Sequence, residues 1–143
     1  MKKELEPGFT FTFEYQVPEE NTVPFLFPEM PECQEMPRVF ATGYLVGLFE
    51  LACIKAINPF INWPAQQTVG IHINISHEAA TPPGMTITVQ GTVTEIKGKK
   101  LCFSLTAFDG VDQISQGTHE RFIINAEKFN TGIKEKEKKQ VAP

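Results

Sequence analysis

Residues 40–57 read FATGYLVGLFELACIKAI, and this run decides the fold. It is apolar on nearly every face, and Asn58-Pro59 stops it. Its eighteen residues approach membrane-spanning length. Gly43, Gly47, Glu50 and Lys55 interrupt it, and the segments around it read as those of a soluble sheet protein. A helix that is apolar all round is otherwise a buried one. The run therefore predicts a central helix wrapped by a sheet.

Upstream, Phe9, Phe11, Phe13 and Tyr15 alternate with Thr10, Thr12, Glu14 and Gln16, the period of a strand with one apolar face. Residues 18–39 hold five prolines, so neither helix nor strand is expected there. The segment also carries Phe25, Leu26, Phe27, Met30 and Met36, which suits a lid or binding loop and equally a cover over the core. Downstream, four strand-like runs follow. Val69, Ile71, Ile73, Ile75 and His77 share one face of the first; Met85, Ile87, Val89 and Val93 share one face of the second. Leu101, Phe103, Leu105 and Ala107 do so in the third, and the fourth starts after Asp109-Gly110 and runs to about Glu127. Short turns between consecutive runs predict antiparallel pairing. Residues 1–133 read as a single domain and the charged residues 134–143 as a tail, a solvated helix end or disordered. Strand, long loop, buried helix and four strands make an α+β layout, that of the hot-dog fold.

Composition narrows the function. The 143 residues carry a formal net charge of −4, which argues against a nucleic-acid partner. No apolar stretch follows the two N-terminal lysines, so no secretory signal is expected. Cys33, Cys53 and Cys102 are odd in number and widely spaced, which suits reduced thiols in the cytoplasm.

Three side chains stand out. Glu50 sits within the apolar helix, where a carboxylate is rare unless paired or functional; Lys55, five residues on, is a poor partner. Thr42 opens the helix, where Thr is also a common N-cap. His77 ends an apolar strand face, where a histidine bonded to backbone is the plainer expectation. Along a helix, Thr42 and Glu50 are separated by about 12 Å of rise and about 80° of rotation. An imidazole could bridge the remaining gap within one chain, or a second subunit could complete the site. Such a relay suits acyl transfer at a helix N-terminus, with Gly70 giving backbone access or simply marking a β-bulge. His72 and His77, on opposite strand faces, do not suggest a metal site. His119-Glu120 lacks the second histidine of a zinc-protease helix. Lys97, Lys99 and Lys100 form a charged hairpin, ordinarily just solvated.

Several blocks, in order and spacing, resemble the fluoroacetyl-CoA thioesterase group of hot-dog proteins. They are VFATGYLVGLFELA (39–52), VGIHINISH (69–77), FDGVDQISQGTHER (108–121) and EKFN (127–130). The resemblance covers about Phe9 to Asn130. It implies a homodimeric acyl-CoA thioesterase without metal or redox cofactor; the cytoplasmic location and the absence of a nucleic-acid or membrane partner are expected from composition and from the sheet-protein pattern of the chain. It places the catalytic groups on Thr42, Glu50 and His77, a substrate-contacting glycine on Gly70 and a supporting arginine on Arg121. The fluoroacetyl-specific enzyme carries lid phenylalanines where this chain has Cys33 and Met36, so the resemblance implies the reaction and not the fluorinated substrate. An enoyl-CoA hydratase on the same fold, and a non-catalytic acyl-CoA binder with Phe25, Phe27 and Met36 as its lid, are the competing readings. The hydratase generally places an Asp where this chain has Thr42-Gly43.

Overall fold

The computed structural model describes residues 4–140. The chain runs β1 (Thr10–Gln16), α1 (Pro31–Gln34), α2 (Thr42–Ile57), β2 (Gln66–Ile75), β3 (Thr86–Lys97), β4 (Lys100–Phe108), β5 (Gln113–Asn125) and α3 (Ala126–Lys138). The strands form one antiparallel sheet in the order β1-β3-β4-β5-β2, and α2 packs on it.

The alternating apolar positions of β3 and β4 all point inward. Ile87, Val89, Val93, Leu101, Phe103, Leu105 and Ala107 are buried against Leu45, Leu48, Phe49, Cys53 and Ile57 of α2. Burying them is the main driving force for this arrangement. Gly98 and Gly110 take positive φ in the two tight turns, where a side chain would be strained. In the second turn the Asp109 carboxylate accepts from the N–H groups of Val111 and Asp112.

Four expectations need correction. First, consecutive strands pair at β3–β4 and β4–β5 but not at β2–β3. β2 joins β5 at one edge, whereas β3 joins β1 near the other. Residues 76–85 therefore cross from one side of the sheet to the other. On the way Thr81 accepts from the Phe40 N–H at 2.8 Å, so the crossover runs beside the entry to α2.

Second, β2 does not keep one phase. A bulge between Gly70 and His72 leaves Ile71 without a register partner and 50% exposed. Gly70 faces Arg121 and Ile73 faces His119, so Gly70 shares the inner face with Ile73 and Ile75, and Val69 turns outward.

Third, α2 is not enclosed on all sides. The stretch Thr42–Phe60 is long and apolar enough to cross a membrane, but one side of α2 packs on the sheet while Leu51 and Lys55 on the other are exposed. Fourth, residues 18–39 are not free of helix. They fold into two 3-10 turns and the single helical turn α1, which opens on Pro31, where the missing N–H costs nothing. The loop is tied down at Thr22, which bridges to Phe40. Its Leu26 abuts α2 so closely that a methyl on Gly43 would lie 3.3 Å from Leu26 Cδ2.

Residues 134–138 of the charged C-terminal segment belong to α3, and residues 141–143 lie outside the described residues. That helix begins at Ala126, where the Asn125 side chain caps it by accepting from the Lys128 N–H.

Candidate active site

The first turn of α2 carries Thr42. Ala41, not Thr42, is the N-cap, and no side chain caps the helix. The Thr42 hydroxyl is therefore not spent on backbone; it lies 2.7 Å from His77 Nδ1. His77 stands two residues beyond β2, in the crossover that passes the helix entry. Burial holds its pKa below the ordinary histidine value, so the ring is neutral at pH 7. Its Nε2 is buried and meets no hydrogen-bond partner among the described residues. Beside the ring opens a cleft of about 230 Å³, lined by Val39 and residues 77–80.

Glu50 stands two turns further along α2. Its side chain is 40% exposed, not sunk in the core, and its Oε1 is 3.0 Å from an Arg121 terminal nitrogen. The relay that one chain could have formed is thus not formed within it: Thr42 and His77 meet, and Glu50 pairs with Arg121 instead. The carboxylate lies in a second cleft of about 340 Å³, lined also by Val46, Gly70, Ile73 and His119.

Arg121 is 2% exposed. Its Nε donates to Thr68 Oγ1 and one terminal nitrogen to the Thr68 carbonyl, both at 2.8 Å. The other terminal nitrogen serves Glu50 and His119. A buried guanidinium fixed this way sets where Glu50 points. Gly70 lies at the centre of the cluster. A methyl built on it would sit 2.5 Å from Glu50 Oε1, 3.2 Å from His119 Cε1 and 3.4 Å from the Arg121 nitrogen. The bulge and the absent side chain together clear the space that the carboxylate occupies.

Cys33 lies in α1 and Met36 just beyond it, half exposed, on the surface loop that covers the helix entry. Cys53 is on the buried side of α2, and burial pushes its thiol up to about 12, so it is inert as a nucleophile at neutral pH. Reading the sequence alone missed His119, which was considered only for a zinc motif. Its one signal was its place two residues before Arg121, hence on the same strand face.

Thr42, Glu50, Gly70, His77 and Arg121 all lie within the matched region of a known family. Residues 17–127 match the profile of the fluoroacetyl-CoA-specific thioesterases (FlK). The chain belongs to that family. It is 45% identical over 136 residues to the fluoroacetyl-CoA thioesterase of Streptantibioticus cattleyicolor, covering 95% of this chain and 97% of that one. A crystal structure of the fluoroacetyl-CoA-specific thioesterase FlK superposes with a TM-score of 0.91 at 44% identity, covering 94% of this chain and 98% of that one. A thioesterase-superfamily protein of Thermus thermophilus superposes at 0.82 with 25% identity, covering 95% and 96% of the two chains. A hot-dog-like protein of Thermanaerovibrio acidaminovorans, 16% identical, shares the fold at a TM-score of 0.75. The hot-dog expectation holds.

Proposed function

We propose that this protein hydrolyses a short-chain acyl-CoA thioester to the free acid and CoA, as a homodimer in the cytoplasm, independent of nucleic acid and membrane. The observation that carries the reading is the Thr42 hydroxyl held 2.7 Å from a neutral His77 at a helix N-terminus. A hydroxyl on an imidazole is the pair acyl transfer needs. The imidazole takes a proton as oxygen attacks the thioester carbonyl and returns it to the leaving thiolate. The new C–O bond replaces the C–S bond, and a water supplies the hydroxyl of the acid and the proton of the thiol. The uncapped N–H groups of the first turn of α2 and the positive end of its dipole face the developing oxyanion.

Two features support the dimer. β2 is a ten-residue edge strand, and long unpaired edges invite pairing with another chain. With Nδ1 accepting from Thr42, His77 Nε2 carries a proton in need of an acceptor. A part-exposed carboxylate from a second copy, the partner's Glu50, supplies one. The kinship at 45% identity with a fluoroacetyl-CoA thioesterase supports the substrate class. Cys33 and the flexible Met36, in place of lid phenylalanines, weaken the case for fluoroacetyl specificity without changing the class of reaction.

The test is thiol release from acetyl-CoA and a panel of short acyl-CoAs by the wild type, Thr42→Ala, Glu50→Gln and His77→Ala. Hydrolysis by the wild type and its collapse in all three variants is the expected result. Wild-type rates equal to buffer on every thioester would overturn the reading, and loss of crotonyl-CoA absorbance without thiol release would favour the hydratase.

A further inference from the structure

His119 is buried, 2% exposed, and the reaction above gives it no task. Its surroundings nevertheless define both ring nitrogens. Nδ1 is 2.7 Å from the His72 carbonyl oxygen, which can only accept, so Nδ1 carries the proton and donates. Nε2 is 3.1 Å from the terminal nitrogen of Arg121, which can only donate, so Nε2 is bare and accepts. The ring is neutral and in one tautomer. It is also clamped in plane, with Phe103 stacked at 6.2 Å between ring centroids. Burial and the neighbouring Arg121 charge both hold its pKa below the ordinary histidine value, consistent with that form.

The Arg121 nitrogen that donates to His119 also donates to Glu50 Oε1 at 3.0 Å. We propose that His119 is a positioning residue: its neutral imidazole, tethered to the His72 carbonyl, holds the Arg121 guanidinium where it aims the Glu50 carboxylate into the cleft. Thr68 secures the far side of the guanidinium, and His119 secures the side nearest Glu50. Gly70 leaves the room in which the three meet. The inference rests on the proposed thioesterase reading for its kinetic arm and on the ring geometry alone for its spectroscopic arm.

Two variants separate the tether from mere packing. His119→Gln keeps an acceptor at the reach of Nε2; His119→Asn keeps a donor near Nδ1 and removes that acceptor. With acetyl-CoA, His119→Asn is expected to lower kcat about tenfold or more with KM within about twofold, the size of losing one hydrogen bond to a charged group. His119→Gln is expected to recover most of that loss, while the two variants melt within a few degrees of each other. In the wild type, imidazole 15N shifts are expected to show His119 protonated at Nδ1 and bare at Nε2. Equal kcat in His119→Asn and wild type would overturn the proposal, and so would a protonated Nε2. If the wild type hydrolyses no acyl-CoA, the activity reading falls by itself. The 15N shifts then decide the tether, for it if Nε2 is bare and against it if Nε2 is protonated.

Discussion

Thr42 shows what a hydroxyl at the first helical position can do when something else is the cap. Freed from the backbone, it sits on an imidazole that burial keeps neutral. Thr42→Ala is expected to lower kcat on acetyl-CoA by at least about a hundredfold, the scale of removing a positioned proton-transfer partner, with an unchanged melting temperature. Steady-state kinetics alongside a thermal melt checks this. The pH dependence has a defined sign. His77 and His119 both have folded-state pKa values below the ordinary one. The unfolded chain therefore binds protons first, and the stability these rings contribute is complete above about pH 6.5 and is lost as pH falls through their folded values. Denaturant midpoints measured from pH 7.5 down to 5 should fall, and less steeply in His77→Ala. The identities of Thr42, Glu50 and His77 were legible as chemistry. Arg121 could be read from the sequence as a group for an anion or for the Glu50 region, and equally as a surface or structural ion pair; strand register decides between these, because it brings together two residues 71 positions apart.

At the level of strands and helices, glycines do the most. Gly70→Ala pushes against the end of a flexible Glu50 side chain, which can swing away. The expected outcome is a kcat loss of about tenfold with little change in stability, read by the same pair of measurements. Gly91 behaves in the opposite way. A methyl there would lie 2.2 Å from Cζ of Phe11, whose ring covers Gly91 from the paired strand and meets Phe103 edge-on. Gly91→Ala is expected to destabilise the fold by about 1–3 kcal/mol, as overpacking does, and chemical denaturation would show it. The phases of β4 and of β3 as far as Val93 could be read directly, because unbroken alternation leaves one solution; past Val93 a register shift before Glu95 breaks the alternation in β3. β2 could not, because a single bulged residue reverses every later position and alternation alone does not announce it.

For the molecule as a whole, the question is how the two halves of the site combine. One chain holds Thr42 with His77 and, separately, Glu50 with Arg121. If a second copy joins them, each site uses Thr42 and His77 of one chain and Glu50 of the other. Mixing Thr42→Ala with Glu50→Gln protein after unfolding and refolding would then restore about a quarter of wild-type activity. Half of the dimers would be mixed, and each mixed dimer would hold one intact site. Sites confined to single chains would give no recovery.

The five strands and the central helix in their order, the inward faces of β4 and of β3 as far as Val93, and the residue types suited to acyl transfer were legible locally, from periodicity, prolines, glycines and residue type; α1 and the start of α3 were not. The pairing of β2 with β5, the exposure of one side of α2, the capture of Glu50 by Arg121 and the tautomer of His119 were decided only by tertiary structure. Each depends on groups far apart in the chain meeting at hydrogen-bond distance, and a distance of a few ångströms between remote segments is a property of the packed whole that no local pattern encodes.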